Sequence, residues 1–204
     1  MTPKLTRAAL GFRAHSGWAA LVAIATSHGT RAAPTVIGSQ RIALIDRGIP
    51  PQPYHAAAKM DIHKAERFIA KCKKDVGHLA RQALRGVIVG LRDTGHEPVA
   101  CGIVLASGRP LPALAATLRS HAMIHTAEGE FFREVLIRAG EHYHLRVTGI
   151  PERELYARGA EAFRVAENKL KLRITEMGET VGRPWTQDQK QATLAAWLAL
   201  AEAQ

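Results

Sequence analysis

Cysteine is nearly absent. The 204 residues contain only Cys72 and Cys101, and these form no CxxC pair. That argues against a zinc ribbon and against a secreted scaffold held by disulfides, and it fits a reducing cytosol. Long apolar runs are also missing. Lys4 and Arg7 precede an apolar stretch as in a secretory leader, but Arg13 and His15 interrupt it, and residues 17–25 are too few to span a bilayer. The expectation is a cytoplasmic protein with no membrane segment, export being the alternative. No GxxxxGK[ST] loop, GxGxxG turn or GxSxG elbow occurs. Nucleotide hydrolysis, dinucleotide binding and serine-hydrolase chemistry therefore have no motif behind them.

Hydrophobic residues at 47% and charged residues at 23% are ordinary for a globular chain of a size that buries its own core. The composition predicts one domain over residues 1–204, with the sheet core in 1–150 and C-terminal helices in 151–204. The net charge of +10 is uneven: residues 1–95 hold 15 Lys/Arg against 5 Asp/Glu, and residues 96–204 hold 13 of each. Such a basic half suits a nucleic acid or another polyanion, and equally a solvated helix face.

Residues 8–14 and 17–26 read as two strands joined by the turn His15-Ser16-Gly17, and residues 35–46 as a third, giving an antiparallel meander. Pro50, Pro51 and Pro53 predict a stiff linker. Residues 55–92 carry apolar positions at spacings of three and four, which predicts one long helix that Gly77 dents or splits. Residues 97–107 form a fourth strand. Helices follow over 113–122 and over 127–139, the second capped by Thr126 and stopped at Gly140. Residues 142–150 read as a fifth strand, Pro151 as a helix start, and Thr186 as the cap of a last helix. The fold class is therefore α/β, a mixed five-stranded sheet with helices on both faces.

This order of elements resembles the ribonuclease H-like superfold and its RuvC-type resolvases over roughly residues 8–200. "GFRAHSG" stands at the first-strand position, "LRVTGIPERELYARGA" resembles the fifth strand and following helix, and "DQKQATLAAWLALAEA" resembles the closing helix. The resemblance implies a nuclease in which three or four carboxylates hold two divalent ions, Mg or Mn. The chain departs from that pattern. Arg13 occupies the first-strand aspartate position, Ser107 and Gly108 stand where the fourth strand should end in a glutamate, and only Asp188 falls near an expected acid.

The densest group of chemical side chains is "SHAMIHTAEGEFFRE", residues 120–134. On one continuous helix His121, His125 and Glu128 would share a face at i, i+4 and i+7, the spacing of a two-histidine, one-carboxylate metal site. With Thr126 as a cap, Glu128 and Glu130 are instead first-turn acids favoured by the helix dipole. Gly129 suggests a close approach by another backbone or a ligand. His15 and Ser16 diverge along the backbone and make no pair by themselves, although His15 and His55 could join His121 and His125. Lys64, Lys71, Lys74, Arg81 and Arg85 form a basic helix face without interleaved aromatics, suited to phosphates rather than to base stacking. Trp185 and Trp197 read as packing residues.

Three functions follow. The first is nucleic-acid processing or binding on a ribonuclease H-like fold. In its catalytic form Glu128, Glu130 and Asp188 hold a divalent ion and His121 or His125 shuttles a proton; in its binding form Arg13 and the basic helix hold phosphates. The second is a small-molecule hydrolase or metal enzyme built on His15, His55, His121, His125 and Glu128, with Zn if the histidines converge. The third is a non-catalytic protein whose basic half docks on an acidic partner.

Overall fold

A computed structural model describes residues 5–26, 34–106, 110–179 and 181–203. Strands β1 (Thr6–His15), β2 (Trp18–Ala25) and β3 (Thr35–Ala43) form the expected meander. The chain continues through α1 (Pro53–Ala57) and the 32-residue α2 (Ile62–Asp93) into β4 (His96–Leu105). It then runs through α3 (Leu114–Leu118), α4 (His121–His142), β5 (Arg146–Pro151), a 3-10 turn (Glu152–Glu154), α5 (Leu155–Phe163), α6 (Glu167–Met177) and α7 (Gln187–Glu202). The strand order is β3-β2-β1-β4-β5, with β4 parallel to both β1 and β5.

Alternation along the strands builds two cores. Leu10, Phe12, Leu21 and Ile103 face α2 and α4, whereas Ala9, Val22, Ala100 and Val104 face α5, α6 and α7. α2 lays Ala65, Ile69, Cys72, Val76, Ala80, Leu84, Ile88 and Leu91 on the sheet, an apolar stripe at helical spacing, and its other side meets solvent. α7 is different: residues 191–200 are all buried, so it is wrapped by protein on every side. Trp197 stacks on Phe163 and Trp185 donates its ring N–H to the Ile174 carbonyl, so both tryptophans pack. Among the described residues no helix is long and apolar enough to cross a membrane.

Several boundaries differ from expectation. Pro53 opens α1 instead of extending a linker, and Asp61 caps α2 by accepting from the Lys64 N–H at 3.0 Å, so the long helix is preceded by a separate short one. Gly77 does not split α2. α4 is one helix capped by Ser120, not a helix capped by Thr126. The Thr126 hydroxyl donates within the helix to the Ala122 carbonyl at 3.0 Å, and Ser120 accepts from Met123 N–H at 3.4 Å. Gly140 does not stop α4, which continues to His142. A side chain at Gly140 would run into Cys101 Sγ at 2.7 Å, so its role is close packing. β3 ends at Ala43, β5 starts only at Arg146, and Pro151 both closes β5 and caps the 3-10 turn that leads into α5. Ser107 and Gly108 lie outside the described residues.

The topology fixes one edge of the sheet as the place where side chains gather. β1, β3, β4 and β5 run the same way, so His15, Ala43, Leu105 and Pro151 end at one carboxyl edge. α4 must return the chain to the opposite edge, because β5 begins four residues after it ends. Its N-terminal turns therefore lie towards the carboxyl edge, where ligands bind in open α/β sheets.

Candidate functional site

Two constellations sit towards this edge, on opposite faces of the sheet. On the α2–α4 side, the unbroken α4 brings His121 and His125 onto one face, with ring centroids 4.4 Å apart. α1 supplies His55, whose ring lies 4.7 Å from that of His125 and 5.6 Å from that of His121. One ring nitrogen from each of the three falls within 4.8 Å of the others, the arrangement of a group that could hold a metal ion. His121 and His125 are exposed and His55 is half-buried.

Glu128 lies beneath this group. Its Oε1 accepts from the His55 backbone N–H at 2.9 Å and contacts His55 Nδ1 at 3.1 Å. An ionised carboxylate only accepts, so opposite ionised Glu128 a neutral His55 ring would carry its proton on Nδ1 and its lone pair on Nε2. The same interaction caps α1, whose own Gln52 makes no capping bond. Glu128 is 3% exposed, and its Oε2 is buried without a partner among the described residues. Burial pushes the Glu128 carboxyl above its usual range, and the donors of His55 oppose that shift.

Glu130 has no part in the histidine group; it pairs with Arg133 at 3.0 Å. Gly129 makes room for that arginine, since a side chain there would meet the Arg133 guanidinium at 2.6 Å. The close approach expected at Gly129 is thus to a side chain of its own helix.

On the α7 side, Arg13, His15, Glu152, Asp188 and Gln191 form the second constellation. Arg13 Nη2 lies 2.8 Å from Glu152 Oε2, and its Nε is 3.9 Å from Asp188 Oδ1. Gln191 donates to the other Glu152 oxygen at 2.9 Å. His15 Nε2 lies 3.0 Å from Asp188 Oδ1, but it makes no aligned hydrogen bond, so the approach is attractive chiefly when His15 is charged. The His15 ring stacks on Trp18, over which the Arg41 guanidinium also lies.

Glu128, Glu130 and Asp188 therefore do not make one metal set: each carboxylate has a different partner, and the histidine trio is the sole metal-capable group among the described residues. His15 belongs to the α7-side group, not to that trio. The pair of divalent ions implied by the resemblance does not fit the α7-side residues. A guanidinium stands at the first-strand position, and Glu152 is already engaged by Arg13 and Gln191. Glu152 and Gln191 were not among the expected site residues, because "PERE" reads as the start of a helix and the partners are far apart along the chain.

The basic face of α2 is denser than expected, with Arg67 and His78 joining the five expected residues. Lys64, Arg67, Lys71, Lys74, His78, Arg81 and Arg85 recur every three or four residues on the side away from the core. The stripe runs for about 30 Å at helical rise. Lys64 pairs with Asp61 and Lys71 with Asp75, whereas Arg67, Lys74 and Arg85 have no acidic partner among the described residues.

No protein-family model and no curated protein matches the chain. Solved structures do. The Thermus thermophilus RuvC structure superposes with a TM-score of 0.55 at 10% identity, over 96% of this chain and 93% of that one. T. thermophilus RuvC in complex with a Holliday junction substrate gives 0.54 at 9% identity, over 97% and 94%. The fold is ribonuclease H-like. Within that ribonuclease H-like frame, Arg13 lies on the first strand and Asp188 in the first turn of the closing helix, close enough to interact.

Proposed function

We propose that this chain binds nucleic acid on a RuvC-like scaffold whose sheet edge is not built as a two-metal nuclease centre. The observation that carries the reading is Arg13: a guanidinium ion-paired to Glu152 stands where the resemblance calls for a metal-binding aspartate. The guanidinium occupies the position and engages Glu152 as well, so neither is free to ligate a divalent cation there. Two features support the choice of ligand. The cationic stripe of α2 suits a phosphate backbone, and one of the similar structures is described as bound to a Holliday junction. Branched DNA is therefore the first substrate class to test. Cys72 and Cys101 are both buried and unpaired, which suits a reducing compartment such as the cytosol.

Fluorescence anisotropy with a four-way junction, a duplex, a single strand and an RNA hairpin, each across a salt series, tests this. The expected result is binding whose logarithm falls linearly with the logarithm of salt concentration. Substituting Arg67, Lys74 or Arg85 by Glu weakens binding to all sequences and lowers the slope by about 1 for each phosphate no longer neutralised. No binding to any probe at low salt would overturn the reading.

A second reading, a metal-dependent hydrolase, is favoured by the convergence of His55, His121 and His125. Its cofactor would be an imidazole-bound ion rather than Mg or Mn at the carboxyl edge of β1.

A further inference from the structure

We propose that His55, His121 and His125 form a zinc site with an open fourth position, oriented from below by Glu128. The inference deepens the metal-dependent reading above and rests on it; it does not require nucleic-acid binding, although α2 packs on the same side of the sheet as the trio.

The donor set is suited to the ion. Three imidazoles select late first-row metals such as Zn(II) and Co(II) over Mg and Mn, which favour oxygen. Zn–N bonds of about 2.0–2.1 Å place tetrahedral nitrogens about 3.3 Å apart. The three nitrogens already lie within 4.8 Å of one another. His121 and His125 are exposed, so theirs are the rings that can turn to close the remaining gap.

The framework is suited as well. His121 and His125 are one turn apart on a capped helix, so their spacing is held by α4 itself. His55 comes from α1, which Glu128 ties to α4 through both the backbone and the ring of His55. Fixing Nδ1–H on a carboxylate leaves Nε2 as donor and makes it more basic, the outer arrangement found around metal-binding histidines. Glu128 Oε1 already faces the two His55 donors, and a divalent ion one imidazole away would favour the ionised carboxylate. Exposed histidines gain little from packing on each other, so burial does not account for the convergence.

Solvent exposure of His121 and His125 leaves the outward coordination position to water. Three histidines plus water is the composition of an open zinc site, in contrast to closed four-ligand structural sites.

The test is a Co(II) titration of the chelator-treated full chain, followed by visible absorption, with Zn(II) as competitor. The expected result is one Co(II) per chain with the intense visible bands of four-coordination, displaced by one equivalent of Zn(II). The double variant His121→Ala/His125→Ala should lose the bands while keeping the wild-type circular dichroism and melting curve, since both side chains are exposed. Glu128→Gln should weaken affinity by about 10- to 100-fold. His63→Ala, whose side chain is 80% exposed and outside the cluster, should change nothing. Absence of the bands in the wild type, or an unchanged titration in the double variant, overturns the proposal. Unchanged affinity in a folded Glu128→Gln variant removes the assigned role of Glu128.

Discussion

Gly11 of β1 and Gly102 of β4 are register partners across the parallel pair, and the backbone of α7 lies directly on both. A methyl group on Gly11 would stand 1.8 Å from the Ala192 carbonyl oxygen, and one on Gly102 would stand 2.0 Å from that of Ala195. Neither obstacle is a side chain that can swing aside. The two glycines let α7 approach closely enough to bring Asp188 to Arg13 and His15. We expect Gly11→Ala and Gly102→Ala each to destabilise the fold by about 3 kcal/mol, the upper end for overpacking, read from urea unfolding midpoints. A wild-type midpoint in either variant would show that α7 can lift off the sheet at little cost.

Arg13 is the hub of the α7-side group. Replacing it by Ala leaves Glu152 with Gln191 and Asp188 with His15 alone. We expect a loss of about 1 kcal/mol, modest because Glu152 is 43% exposed. Arg13→Lys should recover only part of it, since an ammonium cannot reach in the two directions that the guanidinium faces. Urea unfolding of both variants checks this, and full recovery by Lys would contradict the geometry.

Glu134 joins α4 to α2 through Lys73 and is also held by Arg138 at 2.8 Å. Partial burial pushes its carboxyl up, but the two cations prevail and hold it below the usual value of 4.5. A carboxyl depressed in the folded state stabilises above its unfolded value, and that contribution is lost as pH falls through the folded value. Glu134→Gln should therefore be less stable than wild type at neutral pH, and the difference should shrink as pH drops below about 4.5. Melting curves over an acid series measure it; a difference that stays constant with pH would rule out the ion pair as its source.

The order of strands and helices was legible because apolar periodicity reports which face is covered, and that is set locally. The meander, the long amphipathic α2 and the i, i+4, i+7 face of α4 all follow from it. The start of α4 was not legible. Ser120 and Thr126 are both competent caps, and the choice falls to packing: Ile124 and Ala127 are buried, so the turn between the two hydroxyls is held as helix. The C-terminal end of α4 is decided in the same way, with the Tyr143 hydroxyl fastened to the Arg81 carbonyl at 3.0 Å across to α2. The sites were half legible. His121 and His125 are neighbours by helical spacing, and residue type alone groups His55 and Glu128 with them, but the pairing of Arg13 with Glu152 links distant segments and a single sequence carries no trace of it.

Strand scission is the decisive assay for a sheet edge that binds without cutting. A labelled four-way junction is incubated with the protein and Mg or Mn, and the products are resolved on a denaturing gel. We expect a salt-sensitive complex and intact strands, because Arg13 holds the place of a metal-binding acid. Cleavage that depends on Mg or Mn and disappears in Asp188→Asn would contradict the proposed function.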